Sequence, residues 1–185
     1  MKFGIVGTNF VSDFFMEAQE LVEECEVVSV CDLTLEKARA FADKYNIPNA
    51  YGSYQEMYES NTIDAVYLAV PNGLHKELSC YFLDRKIPVI CEKPFGSNAD
   101  EVKEMVECAR KNNTYLQDAI VPLYTENFWR TKEALPKIGR LRRAIICYGK
   151  YSSRYDAYLR GENPTTFRRE LSNGSTMDLG VYAIS

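Results

Sequence analysis

The amino-acid sequence predicts an α/β fold: a doubly wound parallel sheet over residues 1–118, followed over 119–185 by the incomplete start of an α+β domain. Three observations lead there. Short apolar, β-branched runs alternate with segments whose apolar residues recur three and four apart, which is the pattern of successive β-α-β units. The strand-like runs are almost continuously apolar, as strands covered on both faces are. After about residue 118 the alternation stops, and prolines, a longer alternating run and an Asn-Gly turn signal take over.

Taken in order, residues 3–6 read as the first strand. Val11, Phe14, Phe15, Ala18, Leu21 and Val22 share one helix face behind it. Residues 27–31 form the second strand, and Ala38, Phe41, Ala42 and Tyr45 repeat the helical spacing. Ser53 with Glu56 makes a capping-box start for a short helix. Residues 63–70 are the longest strand-like run, with Leu74, Leu78, Tyr81 and Phe82 as the helix face after it. A further strand spans 88–91. Ser97 and Asp100 then suggest a helix start ahead of Val102, Met105, Val106 and Ala109. Residues 114–116 close the series as its last strand. Beyond it, Pro122 and Pro136 bracket a helix that Gly139 ends, residues 141–151 read as a longer strand, and a helical pattern begins near Ser175.

The bulk properties narrow the function classes. A net charge of -4 gives no electrostatic motive for binding nucleic acid. No stretch approaches the ~20 apolar residues of a membrane span, and the N-terminus runs straight into a strand-like segment instead of a signal-peptide core. The six cysteines show no Cys-x-x-Cys pair, so they read as reduced, mostly buried small hydrophobes of a cytoplasmic protein. With His75 the only histidine, metal sites built on several histidines are excluded.

Four constellations carry possible chemistry. The turn after the first strand reads Gly7-Thr8-Asn9-Phe10-Val11-Ser12, where a dinucleotide fingerprint would read Gly-x-Gly-x-x-Gly/Ala. Only Gly7 is kept. Asn9 tolerates left-handed backbone and Ser12 is small, so the turn stays attainable, and the following helix N-terminus offers N–H groups to a phosphate. Asp32, 25 residues beyond Gly7, can accept bonds from both adenosine ribose hydroxyls and repels a 2′-phosphate. It can also be a first-turn acid next to a Thr34 cap. Val70-Pro71-Asn72 with His75 follows the third long strand-like run, and Glu92-Lys93-Pro94 follows the fourth, at the strand ends where open α/β sheets place ligands. Last, Asp178-Leu179-Gly180-Val181-Tyr182 puts Asp178 and Tyr182 four apart on a helix face. A phenol with a pKa near ~10 needs a neighbouring ammonium such as that of Lys93 to act as a base at neutral pH.

These constellations, in this order, resemble the glucose-fructose oxidoreductase, inositol dehydrogenase and rhizopine-catabolism (Gfo/Idh/MocA) family over the whole chain. Glu92-Lys93-Pro94 and Asp178-Leu179-Gly180-Val181-Tyr182 are the specific motifs, supported by Pro71-Asn72 and His75. The resemblance implies a Rossmann domain binding a nicotinamide dinucleotide through Gly7, Thr8, Asn9, Phe10, Val11, Asp32, Val70, Pro71, Asn72, His75, Glu92 and Lys93; Asp32, followed by an uncharged Leu33, makes NAD the expectation and NADP the lesser one. It implies a cis peptide between Lys93 and Pro94, and catalysis by Lys93, Tyr182 and Asp178. Tyr182 in the last motif position looks like the dihydrodiol-dehydrogenase and glucose-fructose branch, where that Tyr is the acid-base residue. The implied reaction moves a hydride between the nicotinamide ring and a hydroxyl-bearing carbon of a sugar, polyol or diol, in a homo-oligomer when full length. Tyr151, Arg154 and Tyr155 are expected near the polyhydroxylated substrate.

Two readings compete with a dehydrogenase. One is a dinucleotide-binding sensor without turnover, which the altered glycine turn favours and the intact Lys93 and Tyr182 oppose. The other is a methyltransferase-like domain, in which Glu92-Lys93-Pro94 would have no role. Short-chain dehydrogenase chemistry is disfavoured because no Tyr is followed by Lys four residues on.

Overall fold

The computed structural model describes residues 1–185, and the chain divides into two compact units, Met1–Asp118 and Ala119–Ser185. In the first unit six strands form one sheet: β1 (Lys2–Val6), β2 (Glu26–Cys31), β3 (Asn49–Tyr51), β4 (Ala65–Leu68), β5 (Val89–Cys91) and β6 (Leu116–Asp118). Their order is β3-β2-β1-β4-β5-β6, and every neighbouring pair is parallel. The chain therefore winds outward one way from β1 and then the other way from β4. Sheets wound this way take ligands outside the carboxyl ends of their strands at the switch point, which here lies between β1 and β4.

Five helices connect the strands: α1 (Phe10–Gln19), α2 (Leu35–Tyr45), α3 (Tyr54–Glu59), α4 (His75–Leu83) and α5 (Ala99–Asn112). Their starts follow local side-chain chemistry. Asn9, Thr34, Ser53 and Asn98 each accept a backbone N–H of the first turn of the helix they precede, which satisfies donors the helix itself leaves unpaired. Thr34 and Ser53 cap as the sequence predicts, whereas α5 starts one residue later than Ser97 suggests. Ile5, Val30, Val66, Leu68 and Val89 are all fully buried. Each such side chain contributes roughly 1.5–3 kcal/mol relative to exposure. The strand expected at 63–70 forms over its central four residues, and the last strand lies at 116–118 instead of 114–116. β3 is a strand the periodicity does not announce, since three residues hold too little pattern.

The second unit holds α6 (Glu126–Ala134), α7 (Tyr155–Leu159) and α8 (Val181–Ile184). The helix bracketed by Pro122 and Pro136 is α6, continued by a 3-10 turn over Leu135–Ile138 that ends at Gly139. The strand expected over 141–151 does not form, and residues 141–152 carry no regular structure. The physical reason is the lack of a partner: an extended run needs a neighbouring strand to take its N–H and C=O groups, and this unit contains no other strand. No helix of the chain is long and apolar enough to cross a membrane.

Candidate functional site

The turn after β1 is built around Gly7, whose φ of +96° is the left-handed region that suits glycine. A Cβ there would also stand 2.1 Å from the Ala69 carbonyl oxygen. Gly7 is thus required twice, once by its torsion and once by the close approach of the chain leaving β4. Asn9 corrects an expectation. Its backbone is extended, at φ -103° and ψ -179°, not left-handed. What it contributes is its side chain: Oδ1 accepts from the Val11 N–H at 2.9 Å and Nδ2 donates to the Ala69 carbonyl at 2.6 Å. Asn9 therefore caps α1 and bridges the switch point between β1 and β4 in one stroke. Ser12, where the fingerprint has its last small residue, is fully buried and donates to the Gly7 carbonyl at 2.6 Å. The two departures from the glycine pattern replace backbone freedom with side-chain ties.

Asp32 follows β2 and closes on the same turn. Its Oδ2 accepts from the Thr8 N–H at 2.9 Å and the Thr8 hydroxyl at 2.5 Å, while Oδ1 accepts from the Leu33 N–H at 2.7 Å. This sets the carboxylate in one orientation beside the glycine turn. Phe10 and Val11 open α1, with Phe10 two-thirds exposed and its ring edge-to-face with Phe14 at 6.0 Å. The turn has the chemistry of a pyrophosphate cradle: a glycine where the chain must pass closely, a helix N-terminus whose first N–H groups have no partner four residues back, and an acid one strand away.

The other half of the site follows β4 and β5. Val70 and Pro71 lead into a single 3-10 turn, Asn72–Leu74, and His75 starts α4. Next to it, the Glu92 N–H donates to the Leu68 carbonyl at 3.0 Å and prolongs the pairing of β5 with β4. The Lys93–Pro94 peptide is cis, as the resemblance implies. Lys93 is half-buried and its N–H donates to Glu92 Oε2 at 3.2 Å. The other carboxylate oxygen of Glu92 accepts from the Tyr67 hydroxyl at 2.5 Å, and the buried Tyr67 ring stacks on Phe15 at 4.2 Å. Tyr67 was not singled out in the sequence, although a signal existed. A tyrosine within an otherwise aliphatic buried strand needs a partner for its hydroxyl.

His75 is fully buried, with no solvent exposure. Its Nδ1 lies 2.8 Å from the Pro94 carbonyl and its Nε2 2.9 Å from the Val70 carbonyl. Burial pushes the imidazole below its ordinary pKa, while the Pro94 and Val70 carbonyls and the Glu92 carboxylate pull upward and Lys93 pulls down. The thiols offer no nucleophile here. Burial raises Cys31 to about 12 and raises Cys91 as well, so neither carries thiolate at neutral pH.

In the second unit, Thr176–Gly180 winds as a π turn before α8. Asp178 lies in the π turn and Tyr182 in α8, so the regular spacing of four read from the sequence is interrupted by a wider turn. The Tyr182 ring meets Tyr148 edge-on at 5.9 Å. Tyr151 and Tyr155 also come together, edge to face at 5.8 Å, and the Tyr151 hydroxyl donates to Asp156 at 2.6 Å, while Arg154 is exposed.

Comparison with known proteins agrees with this geometry. The family model for the NAD-binding Rossmann fold of the Gfo/Idh/MocA oxidoreductases matches residues 1–119. Over its full length the chain is 43% identical to the scyllo-inositol 2-dehydrogenase (NADP(+)) IolU of Bacillus subtilis, covering 56% of that protein. It is 32% identical over 189 residues to the trans-1,2-dihydrobenzene-1,2-diol dehydrogenase of Xenopus laevis, covering 99% of this chain and 54% of the relative. Among solved structures, an NAD-binding protein from Listeria innocua superposes over 99% of this chain and 52% of its own, with a TM-score of 0.76 at 22% identity, a likeness of fold. The chain spans about half the length of the curated relatives it matches.

Proposed function

The chain belongs to the Gfo/Idh/MocA oxidoreductase family, and from that premise we propose that it serves a dehydrogenase that moves a hydride between a nicotinamide cofactor and a hydroxyl-bearing carbon of a small sugar, polyol or diol. The observation that carries this reading is the pairing, at one carboxyl edge of one sheet, of the Gly7 turn with the Lys93 turn. Gly7, Thr8, Asn9, Phe10 and Val11, at the N-terminus of α1, would hold the cofactor's pyrophosphate. Val70, Pro71, Asn72, Glu92 and Lys93 would face its nicotinamide end. When bound, the cofactor accepts or donates the hydride. The protein supplies position and charge.

Within that reading Lys93 brings its ammonium to the nicotinamide ribose, Tyr182 exchanges the hydroxyl proton of the substrate, and Asp178 orients Tyr182 or the substrate. The preferred cofactor is NAD. Asp32 is held by Thr8 and Leu33 as a fixed negative charge, which suits ribose hydroxyls and opposes a 2′-phosphate. The protein works in the cytoplasm, as a homo-oligomer when complete.

The test is a pair of substitutions in the complete protein, assayed with both cofactors and with inositols and trans-diols. Tyr182→Phe is expected to abolish turnover with NAD affinity nearly unchanged, because it removes one hydroxyl. Lys93→Ala is expected to weaken both. Normal turnover in Tyr182→Phe removes Tyr182 from the mechanism, tighter NADP than NAD binding overturns the Asp32 reading, and cofactor binding with no alcohol turnover by the unmodified protein favours a sensor.

A further inference from the structure

We propose that His75 is a positioning residue: its imidazole spans the two loops that receive the nicotinamide end of the cofactor and sets the distance between them. The two carbonyls it reaches belong to different loops, that of Val70 after β4 and that of Pro94 after β5. These strands are neighbours in the sheet, but their ladder ends near Leu68 and Cys91, and beyond it the chain must be joined by side chains. Two do so. Tyr67 reaches Glu92 from within β4, and His75 closes the far side from the first residue of α4. Lys93 lies between these two ties, one residue from Glu92 and one from Pro94. The inference rests on the reading of Lys93 as facing the nicotinamide.

The ring suits this task because it is rigid, flat and polar at two edges. A neutral imidazole donates from one nitrogen and presents a lone pair at the other, while the protonated ring donates from both. Both neighbours of His75 are carbonyl oxygens, which only accept. The neutral ring that burial favours therefore donates to one carbonyl and stands directly against the other. Glu92 and Lys93 are the charged groups that act on it, the first favouring the second proton and the second opposing it. With no solvent exposure, His75 acts through Lys93 and Pro94 without touching the cofactor.

The test separates the two ends of the ligand. Dissociation constants for NAD and for ADP-ribose, which lacks the nicotinamide, are measured by calorimetry on the complete protein, on His75→Phe, on His75→Gln and on Lys93→Ala. The unmodified protein should bind NAD more tightly than ADP-ribose. In His75→Phe that advantage should shrink by about fivefold or more, the equivalent of one hydrogen bond, with ADP-ribose affinity held within about twofold. His75→Gln keeps one amide donor and should recover part of the loss. A merely structural role would lower the unfolding midpoint and leave the ratio unchanged, and that result overturns the proposal. An unchanged ratio in Lys93→Ala, or none to lose in the unmodified protein, refutes the nicotinamide reading itself. A changed ratio there with an unchanged one in folded His75 variants refutes only His75. Should His75→Phe fail to fold, the ring of this sole histidine can be followed by nitrogen NMR in the unmodified protein. Its signals should move with NAD and stay put with ADP-ribose, and equal movement with both sinks the idea.

Discussion

The turn after β1 and the turn after β5 leave the same edge of the same sheet, yet different forces hold them. The first depends on a torsion and an approach that glycine alone permits, and its own side chains tie it outward and back: Thr8 to Asp32, Asn9 to Ala69, and Ser12 to Gly7. The second contains no such glycine. Its conformation is borrowed from neighbours, with Tyr67 of β4 on one side and His75 of α4 on the other. A turn built on one glycine should fail abruptly when that irreplaceable residue changes. A turn held from outside should lose its geometry by degrees.

Four experiments sharpen that contrast. The largest effect is expected for Gly7→Ala, whose methyl meets the Ala69 carbonyl at 2.1 Å with φ at +96°. A loss of roughly 2–4 kcal/mol in denaturant unfolding, together with loss of measurable cofactor binding, is the expected outcome. Near-normal stability would show that the turn is not confined as described. Tyr67→Phe removes the hydroxyl from Glu92 and keeps the stacked ring. It should cost about 1–1.5 kcal/mol and weaken NAD more than ADP-ribose. Asn9→Ala removes the α1 cap and the bond to Ala69, for about 1 kcal/mol, with both ligands weakened alike, since the defect lies at the pyrophosphate end. The smallest effect concerns pH. Burial lowers the His75 pKa in the folded state, so the unfolded chain binds the proton more readily. Stability is fully present above the ordinary value of 6.5 and is lost as pH falls through and below it. Melting curves of the unmodified protein should show that acid-side loss, and folded His75→Phe should lack it.

How far the sequence foretold this depends on the range of the interaction. The strand-helix alternation, the Thr34 and Ser53 caps and the strand-end motifs are local, and they are legible because neighbours in sequence make them. The ties of the site are not. Nothing in the order of residues says that Asn9 reaches Ala69, 60 positions on, or that Tyr67 reaches Glu92, 25 on. The same limit explains the run at 141–151. Its alternation describes a surface prepared for a sheet, and sheet formation waits on strands that no local pattern supplies.

The bond between Thr8 and Asp32 bears on redesign of the site. On the proposed reading of Asp32 as the ribose acid, a cofactor exchange toward NADP begins by removing the negative charge at position 32. That change would also strip the Thr8 N–H and hydroxyl of their shared acceptor, so a single substitution damages the phosphate turn while opening the ribose pocket. On that reading preference and integrity are inherited together at this position. A variant library aimed at cofactor choice should vary residues 8 and 32 as a pair, with the productive combinations carrying a new acceptor for the turn and a cation for the added phosphate.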